Sequence, residues 1–82
     1  MNIAIVDDEK IESETLEIFL RAYIKKFWSD CESKIHIEIL HSAKEFLTYF
    51  NPTIYQLVVL GTRMQELARL IRAENSDVTI FL

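Results

Sequence analysis

Two adjacent carboxylates offer the clearest candidate chemistry in this sequence. Asp7 and Asp8 follow a short β-branched run, residues 3–6, which is typical of a buried strand. Carboxylate oxygens are the ligands that a hard cation such as Mg²⁺ prefers. A metal site would also need a third oxygen from a neighbouring strand end, which these two residues do not supply. The open alternative is that one aspartate caps the following helix while the other is solvated.

The other residue types that could do chemistry lack the partners they would need. His36 and His41 have no cysteine or acid at zinc-type spacing, so we expect both on the surface. Gly61 is the single glycine, which excludes a glycine-rich phosphate loop. Cys31 is the single cysteine, so no internal disulfide can form and a reducing cytoplasm is the expected compartment. We expect Cys31 to be an ordinary loop or helix-end residue.

The composition indicates one small folded domain. The chain has 82 residues, half of them hydrophobic, with one glycine and one proline, which argues against disorder. A net charge of −4 disfavours direct contact with a nucleic-acid backbone. No stretch approaches the roughly 20 apolar residues of a membrane span, and the amino terminus lacks the basic region of a signal peptide.

Strands and helices alternate along the whole chain. Hydrophobic periodicity predicts helices over 9–27, 43–50 and 64–74, and strands over 3–6, 35–40, 55–60 and 78–82. The order β-α-β-α-β-α-β predicts an α/β fold with a parallel sheet and right-handed crossovers. The acidic pair would then lie at the carboxyl edge of that sheet, where ligands bind in such folds.

Local patterns also predict which faces of individual elements are buried and where helices are capped. The long first helix carries an apolar stripe that we expect to face the sheet, with members three and four positions apart: Ile11, Thr15, Ile18, Phe19, Ala22, Tyr23 and Phe27. Alternation over 35–40 predicts an edge strand with one exposed face. The unbroken "LVVL" at 57–60 predicts a central strand buried on both faces. Capping boxes are predicted at 42–45 and 62–65.

Taken together, these segments resemble the receiver domain of a two-component response regulator. The likeness spans residues 1–82: "IAIVDDE" matches that family's first strand and acidic pair, "HSAKEFL" its second strand–helix junction, "YQLVVL" its third strand, and "ELARLIRAENSDVTIFL" its third helix and fourth strand. The long first helix and "SAKEFL" suggest the LytTR type, in which a receiver precedes a DNA-binding domain. The resemblance implies a flavodoxin-like doubly wound sheet with four of five strands present, in the order 2-1-3-4.

The resemblance also implies a phosphorylation switch. A sensor histidine kinase would donate a phosphoryl group to an aspartate directly after Leu60, with Mg²⁺ held by Asp7 and Asp8, the latter being the closer ligand. Phosphorylation would then switch an output domain. This is the role of a phosphoacceptor and interaction module rather than of a metabolic enzyme.

The sequence departs from the family where that chemistry belongs. When residues 66–68 are matched to the family's "ELA", five positions are lacking between Leu60 and Gly61, and they include the phosphoacceptor. The chain also stops at Leu82, before the family's fourth helix and its fifth strand with a lysine. Either the 82-residue sequence omits segments of the natural protein, or the loop is a true deletion. A true deletion would leave a degenerate receiver that acts only in protein interaction or dimerisation.

A third hypothesis is an unrelated Mg²⁺-dependent phosphotransferase with an aspartyl nucleophile. Such enzymes typically show Asp-x-Asp after the first strand, whereas Asp7 and Asp8 are adjacent. As the sequence stands, the strand at 78–82 would be an unprotected sheet edge with apolar residues. That edge predicts dimerisation, swapping or aggregation of the 82-residue chain, with a homodimer as the simplest product.

Overall fold

A computed structural model describes residues 1–49, 54–61, 63–74 and 78–81. The elements are β1 (Asn2–Val6), α1 (Lys10–Phe27), a 3₁₀ helix (Ser29–Lys34), β2 (His36–Leu40), α2 (Ala43–Tyr49), β3 (Tyr55–Leu60), α3 (Gln65–Glu74) and β4 (Thr79–Phe81). Each predicted strand and helix is present, with boundaries close to those predicted. Phe50 and Leu82, the last residues of a predicted helix and a predicted strand, and Thr62 of the capping box predicted at 62–65 lie outside the described residues.

The four strands form one parallel sheet in the order β2-β1-β3-β4. This is the predicted topology, with β1 pairing on one side with β2 and on the other with β3. At the carboxyl end of the ladder, Val6 lies opposite both Leu40 and Leu60. The residues that follow these three strands therefore meet at one edge of the sheet, which is where the candidate site lies.

One face of the sheet is covered by α2 and α3. Val58 and Leu60 of β3 are buried on this face together with Leu67 and Ile71 of α3, and α2 adds the fully buried Phe46. The hydrophobic periodicity that predicted α3 therefore marks its packed side, with Met64, Leu67 and Ile71 buried. The serine half of the predicted capping box is confirmed, because the Ser42 hydroxyl accepts a hydrogen bond from the Glu45 N–H at 3.0 Å.

The opposite face is covered by α1, but with other residues than those predicted. Ser13 and Ile24 are buried and Leu16 and Leu20 are half-buried, so these four residues form the packed side of the helix. The predicted stripe is exposed instead: Ile11, Thr15, Ile18, Phe19, Ala22, Tyr23 and Phe27. The prediction was wrong because α1 carries apolar residues on two sides at helical spacing, and periodicity alone does not say which side meets the sheet.

The predicted roles of β2 and β3 hold with one correction. β2 is an edge strand whose His36 and Glu38 are exposed. β3 lies between β1 and β4, as expected of a central strand. However, it is not buried equally on both faces, since Leu57 and Val59 on the α1 side are only half-buried. A single helix on that side does not cover the width of the sheet.

Candidate functional site

Asp7 is the buried member of the acidic pair, with 2% of its surface exposed. Its N–H donates to the Leu40 carbonyl at 3.0 Å, which ties it to the end of β2. Its Oδ1 accepts a hydrogen bond from the Glu9 N–H at 2.9 Å. Its Oδ2 is buried and has no hydrogen-bond partner among the described residues. Leaving a buried carboxylate oxygen unpartnered is costly, so a cation or a donor at this atom would stabilise the fold.

Asp8 is exposed and lies beside Arg63, which follows the neighbouring strand β3. Its Oδ1 is 3.1 Å from Nη2 of Arg63, and the same nitrogen is 3.3 Å from Oε2 of Glu9. All three side chains are largely exposed, so these ion pairs contribute little stability. These ion pairs matter for position: they place Arg63, which follows β3, next to the acidic residues that follow β1.

The helix-capping alternative for the acidic pair is only partly met. Asp7 does bond to the backbone ahead of α1, at Glu9. The N-cap residue of α1 is Glu9 itself, and it makes no side-chain cap hydrogen bond. Asp8 is ion-paired rather than simply solvated. Neither aspartate is therefore explained by a conventional cap.

Gly61 occupies the position at the end of β3 that faces Asp7. Its N–H donates to the Val6 carbonyl at 2.9 Å, which extends the pairing of β1 and β3 by one residue. A Cβ atom at this position would lie 2.3 Å from Oδ2 and 2.5 Å from Cγ of Asp7. Such contacts are far inside van der Waals distance, so the Asp7 carboxylate fills the space that a side chain at residue 61 would need. The residue after Leu60 and the buried aspartate are thus immediate neighbours.

The carboxylate oxygens at this edge are suitable ligands for a hard cation, although two carboxylates alone do not complete a metal site. Mg²⁺ is usually bound by one or two carboxylates and completes its shell with water and phosphate oxygens. Asp7 Oδ2 fits such an ion because it lacks any other partner among the described residues. Across the described ranges, no group of three or more His, Cys, Asp or Glu side chains could hold a metal ion. The magnesium site at Asp7 and Asp8 therefore stays a prediction.

The remaining candidate residues take the ordinary places expected of them. His36 and His41 are exposed, on β2 and directly after it. Cys31 is exposed in the 3₁₀ helix and has a free thiol. No helix in the described part of the chain has the length and apolar character needed to cross a bilayer.

A polar pair that sequence patterns did not indicate lies toward the amino end of β3. The Tyr55 hydroxyl donates a hydrogen bond to Glu38, and its ring packs against Phe46 with centroids 5.9 Å apart. Burial, followed by the hydrogen bond and charge of Glu38, raises the pKa of Tyr55 to about 12. The phenol therefore stays protonated near neutral pH, which suits a structural role rather than proton transfer.

Comparison with known proteins identifies the fold. No family model and no curated protein matches the chain. Among solved structures it is similar to the non-phosphorylated HemR receiver domain from Leptospira biflexa, with a TM-score of 0.67 and 24% sequence identity. The likeness covers 96% of this chain and 60% of that one, so this chain spans about 60% of the length of the solved structure. At this level of identity the likeness shows the fold, and the chain thus has the flavodoxin-like receiver fold with strands in the order 2-1-3-4.

Proposed function

We propose that this chain is the receiver module of a two-component response regulator. It would accept a phosphoryl group from the phosphohistidine of a sensor kinase and switch an output domain. The fold shared with a solved receiver domain and the acidic pair at the carboxyl edge of β1 support this assignment. We place the module in the cytoplasm, in a LytTR-type transcription regulator whose separate output domain contacts DNA.

The observation that carries the proposal is the contact between Asp7 and the residue after Leu60. A Cβ atom there would lie 2.3 Å from Oδ2 of Asp7, so the two positions are adjacent and the Asp7 carboxylate would have to shift to admit a side chain. An aspartate inserted directly after Leu60 would therefore start beside Asp7 and Asp8 and complete a set of three carboxylates. In the transfer, the P–N bond of the phosphohistidine breaks and a P–O bond forms to the acceptor carboxylate. The imidazole keeps the electron pair of the P–N bond and takes up a proton.

Asp7 and Asp8 would hold Mg²⁺ in this module. The unpartnered Oδ2 of Asp7 and the exposed carboxylate of Asp8 offer the oxygen ligands that the ion prefers. When bound, the ion would offset the negative charge that three carboxylates and a phosphoryl group bring together. Arg63 now pairs with Asp8, so binding would require this arginine to release it.

Phosphoryl uptake by the natural full-length protein tests the proposal. The protein would be incubated with Mg²⁺ and acetyl phosphate, a small phosphoryl donor, and its intact mass measured. We expect the mass to rise by one phosphoryl group, carried by an aspartate directly after Leu60. Replacing that aspartate by asparagine should abolish uptake, and Asp8→Asn should reduce it. A correctly folded natural protein that takes up no phosphoryl group would contradict the proposal.

The 82-residue chain itself favours a second function, that of a receiver-fold interaction module that is not phosphorylated. In this chain the place after Leu60 is occupied by Gly61, and Arg63 already pairs with Asp8. Calorimetric titration of the 82-residue chain with Mg²⁺ and beryllofluoride, a phosphoryl mimic, separates the two functions. An interaction module should bind no beryllofluoride, and tight binding would contradict this second function.

A further inference from the structure

The outer side of α1 carries an apolar stripe that the domain itself does not use. We call Ile11, Thr15, Ile18 and Ala22 the outer stripe; all four are exposed, with Ile11 and Ile18 72% and 68% accessible. Their spacing of four, three and four residues is that of the contact seam between two packed helices. Isolated apolar residues on a surface need no explanation, but a seam along three helical turns does.

The outer stripe faces away from the sheet. The packed side of α1 is formed by Ser13, Leu20 and Ile24. At 3.6 residues per turn, these residues lie roughly half a turn around the helix from Ile18. Elements that pack on the sheet beside α1 therefore cannot cover the outer stripe. Anything that covers the outer stripe would therefore approach from outside the domain.

The charges along α1 favour a particular occupant. The first half of the helix carries Glu12, Glu14 and Glu17 against one lysine, while the second half carries Arg21, Lys25 and Lys26 and no acid. Glu14 and Glu17 are used in ion pairs within the helix, with Lys10 and Arg21. Among the described residues, Glu12 and Lys25 make no ion pair. A helix with one acidic and one basic half is complementary to an antiparallel copy of itself.

We propose that a second copy of this chain covers the outer stripe, with the two α1 helices packed antiparallel about a two-fold axis near Ile18. In that arrangement Glu12 of each copy lies on the same flank of the contact as Lys26 of the other, and the small Thr15 and Ala22 allow close approach. An 18-residue helix is about 27 Å long. A contact of this size forms a concentration-dependent dimer rather than an obligate one. The acidic pair takes no part, so the inference goes beyond the proposed function.

Analytical ultracentrifugation of the 82-residue chain over a range of concentrations tests the dimer. Ile18→Glu places a charge at the centre of the seam and should raise the dissociation constant at least about tenfold. Because Ile18 is exposed in the monomer, the fold should survive, which circular dichroism checks. Leu70→Glu is the matched control, since Leu70 is an exposed apolar residue of another helix, α3. It should leave the dissociation constant unchanged.

Charge reversal tests the orientation. Lys26→Glu should weaken the dimer, and adding Glu12→Lys should restore it, because the antiparallel arrangement places these two positions on the same flank of the contact. A wild-type chain that stays monomeric at all concentrations would overturn the proposal. So would dimerisation that Ile18→Glu leaves intact but Phe81→Lys abolishes, since that result would assign the contact to the edge of β4.

Discussion

The two faces of the sheet are made of similar residues but reach different degrees of burial. Val58 and Leu60 point to the face covered by α2 and α3 and are buried, whereas Leu57 and Val59 point to the α1 face and are half-buried. All four belong to the same unbroken apolar run of β3. The difference therefore lies in what covers each face, not in the strand. Two helices close one side, and one helix leaves the other partly open.

The partly open α1 side of the sheet forms a groove. A groove of about 490 Å³ runs between α1 and the strands β3 and β4. It is lined by Leu16, Phe19, Leu20, Tyr23, Trp28, Leu57, Val59 and Phe81. Parallel sheets are stable when helices cover both faces. On the α1 side, Ile3 and Ile5 of β1 are fully buried, so only the part of this face formed by β3 and β4 should tolerate substitution better than the packed face.

The largest expected contrast is between two phenylalanines. Phe46 of α2 is fully buried on the packed face, while Phe81 of β4 is 66% exposed on the open one. Phe46→Ala should lower the free energy of unfolding by about 3–5 kcal/mol, because it leaves a cavity. Phe81→Ala should lower it by less than about 1 kcal/mol. Urea denaturation measures both, and equal losses would show that the faces do not differ as described.

A sharper version compares neighbouring residues of the same type. Val58 and Val59 are adjacent in β3 but point to opposite faces. Val58→Ala should destabilise by about 2–3 kcal/mol, since two buried carbons are lost and a cavity remains. Val59→Ala should cost about 1 kcal/mol or less. The same denaturation experiment applies, and a larger loss for Val59→Ala would reverse the comparison.

A smaller effect is expected at the carboxyl edge that both faces share. Gly61→Ala places a methyl group against the Asp7 carboxylate, which must then rotate. We expect a loss of about 1–2 kcal/mol, at the lower end for overpacking, because a side chain rather than backbone has to move. In an Asp7→Ala background the loss should nearly vanish. A loss that is the same in both backgrounds would mean that the two residues are not in contact.

The last expected effect appears only at high pH, where the phenol ionises. The pKa of Tyr55 is raised to about 12, first by burial and then by Glu38, from about 10 in an unfolded chain. The phenol's contribution to stability is therefore fully present below about pH 10 and is lost as the pH rises toward about 12. Absorbance titration of the phenolate checks this, with Tyr55→Phe as the control. Glu38→Gln should lower the pKa only in part, since burial is the larger cause.

Local patterns predicted the elements well because each carries its own periodicity. They also put Asp7 and Asp8 at the carboxyl edge, because β-α alternation fixes where the ends of parallel strands meet. Local patterns failed on α1, where two apolar sides compete and only the packed domain selects Ser13 and Ile24 over Ile18.

Long-range details of the site also lay beyond the sequence. The close approach of Gly61 to Asp7 depends on the register between β1 and β3, and neither segment alone indicates that register. The ion pair of Arg63 with Asp8 and the bond from Tyr55 to Glu38 join residues far apart in the chain. In each case chain folding, not residue spacing, brings the partners together.

The central claim is that an acceptor aspartate belongs directly after Leu60, beside Asp7 and Asp8. The most direct test is the intact mass of the protein purified from its natural source, with tandem mass spectrometry of the peptide that contains Leu60. We predict a mass above that of the 82-residue chain and five additional residues between Leu60 and Gly61, beginning with aspartate. A peptide in which Gly61 directly follows Leu60 would contradict the claim and leave the chain as an interaction module.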